Sequence, residues 1–277
     1  MPRSRIRPAG ALAAALLAVL PGLSACREAS SDPVAAQAAA PIKCANGWSA
    51  AGEPPPPVDV LTSLPLFWPL GADMDDVMNG RAPLPWQQAA MGPCYAAIAL
   101  DTLSPGPGVP PEDLVAGPLG GRERLAVIQP RGLSPADNVA LDAWVRAGGR
   151  LLLMLDPALT GEYDLPLGDP RRPVEIALIP PVVARWGMAI RFDETQAATV
   201  RTVRLGDAVL PLALAGQIAI TDPAAADCTL LAEGAAARCR VGEGQVTLIA
   251  DAALFEHPEL AGEGGTTLRA VLEESLE

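Results

Sequence analysis

Asp156 and Asp251 are the polar residues best placed to meet a ligand. Each directly follows an apolar run that reads as a buried strand, Leu151-Leu152-Leu153-Met154-Leu155 and Gln245-Val246-Thr247-Leu248-Ile249-Ala250. Both carboxylates are therefore expected at the carboxyl edge of a parallel sheet, where open α/β sheets bind their ligands. Two convergent carboxylates could hold a cation, a sugar hydroxyl or a cationic ligand; the alternative is that each caps the turn that follows it. Asp164, Asp169, Arg171 and Arg172 lie in the loop after Asp156, and either line the same crevice or form a solvated charge run. A second chemistry would be nucleophilic. Cys94, in Gly92-Pro93-Cys94-Tyr95, could supply a thiol, and His257, after the last strand, a base. Against this, the apolar run at 151–155 ends in Asp156-Pro157 and not in a Gly-x-Cys-x-Gly turn. Cys94 then reads as a disulfide partner or buried thiol, and His257 as a loop residue. Gly-x-Ser-x-Gly and the phosphate-cradling Gly-x-x-x-x-Gly-Lys are both absent from the sequence. Gly242-x-Gly244 is too short for a dinucleotide fingerprint and precedes a strand. No catalytic residue and no cofactor is assigned.

The amino terminus carries a different chemistry. Arg3, Arg5 and Arg7 precede a small apolar run at 11–20, and Leu23-Ser24-Ala25-Cys26 follows it. The arrangement is that of a signal segment, to be excluded from fold reasoning, and the run is shorter than the ~20 residues that span a bilayer. Leu23-Ser24-Ala25-Cys26 resembles the lipobox of bacterial lipoproteins, which implies cleavage before Cys26 and lipid on its sulfur. An ordinary secretory signal with an incidental cysteine is the alternative. With Cys26 lipidated, Cys44, Cys94, Cys228 and Cys239 remain. An even number in an exported chain suggests disulfides, with three connectivities open. Cys228 and Cys239 flank the turn-like Ala232-Glu233-Gly234-Ala235, which favours a bridge across a hairpin and leaves Cys44 with Cys94. The alternative is four buried thiols. A zinc site is not expected, because there is no C-x-x-C and His257 is the single histidine.

Composition narrows the partners. Removing residues 1–25 leaves 252 residues, and takes three positive charges from a formal net charge of −12, leaving −15. Such a chain is a poor candidate for nucleic acid, or for anionic headgroups by charge. Half of the residues are hydrophobic but only 4% are aromatic, so the core must be built from Ala, Leu, Val and Ile. Thirty prolines and 26 glycines imply many turns. No second long apolar segment follows Cys26, so the lipid would be the only membrane contact.

The elements follow from periodicity and punctuation. Residues 27–57, ending in Pro54-Pro55-Pro56-Pro57, read as an extended tether. A short strand is expected at 58–61, a polar loop at 73–85 and a helix over 86–103. Leu125-Ala126-Val127-Ile128 is a buried strand. Ser134-Pro135-Ala136-Asp137 then opens a helix with a capping serine, a proline suited to the first turn and an acid at the positive end of the dipole. Gly148-Gly149 ends it, and 150–155 is a second buried strand. Strand, helix, strand with both strands apolar throughout is a crossover in a parallel sheet. A short helix is expected at 179–186, and a hairpin turning at Gly206-Asp207 between 200–205 and 208–212. Short strands follow at 190–192, 217–220, 229–231 and 237–240, a buried strand at 245–250 and a closing helix at 268–276.

Four stretches together resemble the extracytoplasmic auxiliary domain of gliding-motility-type ABC transport systems. They are Val145-Arg146-Ala147-Gly148-Gly149-Arg150-Leu151-Leu152-Leu153-Met154-Leu155-Asp156-Pro157, Leu133-Ser134-Pro135, Thr62-Ser63-Leu64-Pro65-Leu66 and Gly244-Gln245-Val246-Thr247-Leu248-Ile249-Ala250-Asp251. The resemblance covers about 58–255. It implies a class I glutamine-amidotransferase-like fold, a flavodoxin-like α/β sandwich, without established catalysis. Members are usually held by transmembrane segments, whereas this chain carries the lipobox.

The expectation is thus an α/β protein with a mainly parallel sheet and a β-hairpin-rich C-terminal part. It divides into a signal peptide (1–25), a tether (26–57) and a single domain (58–277) with a β-rich insertion around 195–240. The expected function is that of a non-catalytic envelope lipoprotein facing the periplasm, an accessory or recognition module beside an ABC permease and ATPase. An amidase or hydrolase on the same fold is the second reading: a reactive Cys94 paired with His257 would favour it, and a Cys44–Cys94 disulfide would exclude it. A purely structural envelope protein is the third. Arg27, where an aspartate would mark inner-membrane retention, points to the outer membrane; the transporter resemblance points to the inner one.

Overall fold

A computed structural model describes residues 44, 54–106 and 117–277. The expected signal segment, Cys26 and most of the tether lie outside the described residues. Strand β1 (Pro57–Thr62) is followed by a short helix α1 (Met74–Met78) inside the stretch expected as loop, where the Asp73 carboxylate accepts from the Asp75 amide at 2.8 Å. Helix α2 (Trp86–Met91) is much shorter than the helix expected over 86–103. Gly92-Pro93 follows its last turn, and the apolar residues beyond form strand β2 (Ala96–Ala99). A short apolar run cannot be told from a helix by periodicity alone. What decides here is that β2 finds the backbone of β1 to pair with.

The crossover follows as β3 (Arg124–Ile128), α3 (Pro135–Arg146) and β4 (Arg150–Met154). Next come α4 (Pro181–Arg185) and β5 (Met188–Arg191), then the hairpin β6 (Val200–Leu205) and β7 (Ala208–Ala213), turning at Gly206 with φ +56°. The chain continues through β8 (Gln217–Ile220), β9 (Asp227–Leu231), β10 (Ala236–Val241) and β11 (Gly244–Ile249), and ends in α5 (Ala253–Glu256) and α6 (Thr266–Leu276).

Seven strands form one sheet in the order β2-β1-β3-β4-β11-β10-β9. From β2 to β11 every pairing is parallel, and β10 and β9 add an antiparallel edge. The five parallel strands thus stand second, first, third, fourth and fifth, the order of doubly wound sheets of the flavodoxin type. Two smaller sheets, β5 with β8 and β6 with β7, come from the chain inserted between β4 and β11. Alternate residues of the central strands serve opposite cores. Ala126, Ile128, Leu152 and Met154 pack with α6 and the β6–β7 hairpin, whereas Leu125, Val127, Leu151 and Leu153 pack with α3 and α4. Burial on both faces is why these strands read as unbroken apolar runs. Pro41–Glu277 forms one compact unit.

Helix α3 is pinned at both ends. Ser134 and Asp137 form a capping box. The Asp137 carboxylate also accepts from the Thr102 hydroxyl at 2.8 Å and from the Leu103 and Ser104 amides at 2.9 Å, drawing the chain after β2 onto the helix. Burial opposes ionisation here, but these donors outweigh it and hold the carboxyl below the usual carboxylate range. Near the other end Asp142 accepts from Trp186 Nε1 at 2.8 Å and from the Nε atoms of Arg146 and Arg185 at 2.9 Å. Asp137→Ala removes the acceptor for all its donors at once. It is expected to cost about 2–3 kcal/mol, read as a lower urea midpoint at unchanged slope.

Two disulfides join Cys44 to Cys94 and Cys228 to Cys239. The second links directly opposed residues of β9 and β10.

Candidate functional site

The carboxyl ends of β1, β3, β4 and β11 share one edge of the sheet, so the residues that leave these strands must meet there. In a sheet of this strand order the switch point lies between β1 and β3, and a crevice is expected beside it. The chain fills that place itself. Gln129, directly after β3, is fully buried at φ +44°. Its carbonyl accepts from the Ser63 hydroxyl at 2.6 Å. Its amide Nε2 donates to the Val174 and Asp156 carbonyls at 2.8 and 3.1 Å, and its Oε1 accepts from the Asp156 amide at 2.8 Å. The Val174 amide returns to Ser63 Oγ at 3.1 Å. Residues 157–180, after β4, therefore lie as a strap across the ends of β1, β3 and β4.

Asp156 and Asp251 do come together under this strap, but not as an open site. Their exposures are 0% and 1%. Asp156 Oδ1 accepts from the Ala158 amide at 2.7 Å and Oδ2 from the Ala252 amide at 2.8 Å. Asp251 Oδ2 accepts from the Ala213 amide at 2.7 Å and Oδ1 from the Ala253 amide at 2.8 Å. All four oxygens are engaged by backbone, and the successive amides of Ala252 and Ala253 go to different carboxylates. Each carboxylate thus takes the turn-capping alternative, accepting from the amide two residues on, and together they form a buried junction that joins the strap, the end of the β6–β7 hairpin and the start of α5. Burial pushes the Asp156 carboxyl up to about 7, with the Glu256 charge adding to it. Asp251 is raised well above the ordinary carboxylate range by burial and by the charge of Asp156.

Glu256, which the sequence reading passed over, fastens the middle of the strap. Its oxygens accept from the Thr160 and Gly161 amides at 3.0 and 2.9 Å and from the Tyr163 hydroxyl at 2.7 Å. Burial and the Glu256 charge raise the Tyr163 phenol far above its ordinary value, so that it stays a donor. His257 follows α5, with Nε2 at 2.9 Å from the Thr160 hydroxyl and Nδ1 at 3.6 Å from Glu259. Cys94 lies in a disulfide, so its thiol is not there for His257 to activate. The four charged loop residues belong to the strap. Arg171 pairs with Asp169 at 2.8 Å, Asp164 is exposed, and the Arg172 guanidinium reaches Glu175 and the Tyr163 and Leu165 carbonyls. Arg131 also donates to strap carbonyls, those of Pro170 and Arg172.

Gln129 was as legible as the aspartates, because it follows β3 just as Asp156 follows β4. Only the habit of reading carboxylates first hides it. Gln129→Ala removes three side-chain hydrogen bonds, two with Asp156 and one to Val174 on the strap, and is expected to cost about 2–3 kcal/mol. Backbone exchange should report the loss first at 156–174.

Exposed apolar side chains concentrate on the two segments that leave β1 and β4. Trp68, Leu70, Met78 and Leu84 lie on the segment after β1. Leu167, Ile176, Leu178 and Ile179 lie on the strap. These are eight of the fourteen large exposed apolar side chains among the described residues. Two hollows lie elsewhere. A groove of about 990 Å³ runs along α3, lined by Leu103, Leu119, Val139, Trp144 and Arg122 among others. A cleft of about 670 Å³ at the amino ends of β4 and β11 is lined by Arg150, Arg238, Arg240, Asp227, Glu243 and Glu277 among others. Neither includes Asp156, Asp251 or Glu256.

No family model matches the chain, and no curated protein matches it. Solved structures resemble it distantly. An exo-β-1,4-mannosidase from Opitutaceae bacterium strain TAV5 is 13% identical at a TM-score of 0.42, over 79% of this chain and 35% of that one. A β-galactosidase from Bacillus circulans sp. alkalophilus is 12% identical at 0.41, over 78% and 30%. A cytoplasmic protein of Salmonella typhimurium LT2 is 9% identical at 0.37, over 69% and 86%. The chain spans about a third of the length of the two glycosidases. Likenesses this distant carry no argument about what the chain does. The class that fold and site define is a doubly wound α/β domain whose ligand edge is closed by its own chain. Its two disulfides fit an oxidising, extracytoplasmic compartment. Among the described residues no helix is long and apolar enough to cross a membrane.

Proposed function

We propose that this protein is an envelope lipoprotein, anchored through Cys26, whose α/β domain is a non-catalytic recognition module beside an ABC-type permease and ATPase. The observation that carries this reading is the apolar side chains exposed on the segment after β1 and on the strap that closes the sheet edge. Exposed apolar clusters of this kind mark protein contacts. The filled switch point argues for recognition of a surface, not of a molecule in a crevice. The Cys44–Cys94 disulfide speaks against the thiol hydrolase reading.

Crosslinking in intact cells, followed by detergent extraction and identification of partners, tests the reading, with Cys26→Ala as the control. Recovery of a permease and ATPase that the control loses supports it; recovery of no transport component removes it. Trp68→Ala and Leu178→Asp should abolish or sharply reduce that recovery. Both side chains are more than half exposed, so the urea midpoint should shift by no more than about 0.5 kcal/mol in equivalent stability.

A further inference from the structure

We infer that the strap over the sheet edge is a pH-sensitive latch, held closed while the buried Asp156–Asp251 pair keeps a proton and loosened when that proton leaves. The proposal deepens the recognition reading, and rests on it only for what the latch would regulate, since the strap carries Leu167, Ile176 and Leu178.

The geometry has three parts. First, two fully buried carboxylates accept from consecutive amides, those of Ala252 and Ala253, and no cation is among their partners. Ionising both places like charges side by side without water, which is strongly unfavourable. Second, Asp156 is covered by the strap itself. Its carboxylate holds the Ala158 amide, and its carbonyl accepts from the Ala177 amide at 2.9 Å. Lifting the strap is therefore the way to give this charge water. Third, Glu256 on α5 adds negative charge to both carboxyls, while on the strap Tyr163 stays protonated and Glu175 pairs with Arg172. His257 is engaged with Thr160. Arg131 and Arg172 donate to strap carbonyls.

The direction of the effect follows. Burial raises the Asp156 carboxyl to about 7, whereas a carboxyl released to water titrates near 4. Opening therefore releases a proton, and becomes easier as pH rises. By linkage the opening equilibrium should grow about tenfold between pH 6 and pH 8. A domain of this kind in the envelope would hold its strap closed in acid and release it near or above neutrality.

Hydrogen exchange followed by mass spectrometry on the full chain tests this, with exposure times scaled for the intrinsic rate at each pH. The expected result is about tenfold less protection at 158–163 at pH 8 than at pH 6. The step should vanish in Asp156→Asn and persist in His257→Gln. A wild-type change below about twofold overturns the proposal. So does a step that survives Asp156→Asn, or one lost in His257→Gln. Should Asp156→Asn fail to fold, the wild type still decides: at both pH values amides 158–163 must exchange faster than those of β3 and β4, and exchange of strap and sheet at one shared rate, as in global unfolding, overturns a local latch. No partner enters this measurement. A pH-steep exchange with no transporter component recovered in cells would leave the latch standing and the recognition reading fallen, and the reverse pair of results would separate them the other way.

Discussion

The protein is expected to be at least about 2.5 kcal/mol more stable at pH 5 than at pH 8, because of one buried carboxyl pair. A carboxyl whose folded-state pKa is raised binds its proton more tightly folded than unfolded. For Asp156 the folded value is about 7, and the unfolded value is near 4. Between them the folded chain carries the extra proton, so stability falls as pH climbs through that window and levels off above it. Asp251 is raised as well, by burial and by the charge of Asp156, which adds to the fall. On the acid side the sign reverses. Asp137 and Asp142 are held below the ordinary range: burial works against ionisation there, and hydrogen bonds from Ser134 and Thr102, and from Arg146 and Trp186, overcome it. Their contribution is present above about pH 4 and is lost as pH falls below it. The optimum should therefore lie at about pH 4.5–5. Urea titrations at half-unit steps from pH 3 to pH 9 read it. Asp251→Asn should make the alkaline limb shallower, with the part due to Asp156 remaining, and leave the acid limb alone. It should also lower the acid plateau by about 1–2 kcal/mol, because an amide NH2 cannot accept from a second backbone amide. A wild-type curve flat from pH 5 to pH 8 would show that the pair does not hold its proton.

The two disulfides should differ in what they contribute. In the chain-entropy account a cross-link stabilises by restricting the unfolded chain, more so for longer loops. The Cys44–Cys94 bridge spans 50 residues and the Cys228–Cys239 bridge 11. These lengths correspond to about 4 and about 3 kcal/mol. Cys44→Ser with Cys94→Ser is therefore expected to be the more damaging pair. Desolvation of a buried serine hydroxyl does not separate them, because Cys94 and Cys239 are both wholly buried. Cys228→Ser with Cys239→Ser leaves β9 and β10 paired along the rest of their register. Calorimetry of the oxidised chain and of both double variants checks the order. An equal loss for the two pairs would refute the loop-length argument.

How far the sequence could be read differs from element to element. Ser134-Pro135, Gly148-Gly149 and the flanking apolar runs define β3, α3 and β4 to within about a residue, because capping, helix termination and two-sided burial all leave local marks. The hairpin at Gly206-Asp207 is legible for the same reason. The helix expected over 86–103 fails at Gly92-Pro93. Ala96–Ala99 becomes a strand because β1 offers it a parallel partner, and that partner lies almost 40 residues away in sequence. The strap is illegible from its own composition, which mixes charged and apolar residues with five prolines and two glycines like many open loops.

The sequence by itself determined the α/β alternation, the identity of the core strands, and the positions of Asp156 and Asp251 at strand ends. These depend on local periodicity and local backbone chemistry, which a chain carries wherever it folds. Only the tertiary structure decided what those aspartates do. Whether a carboxylate at a strand end meets solvent or an amide depends on where a distant loop lies. Ser63, Gln129, Val174 and Glu256, far apart in the chain, place that loop over the edge. Burial then changes an ordinary acid into a group that titrates near neutrality, because its charge has lost water and faces another of the same sign.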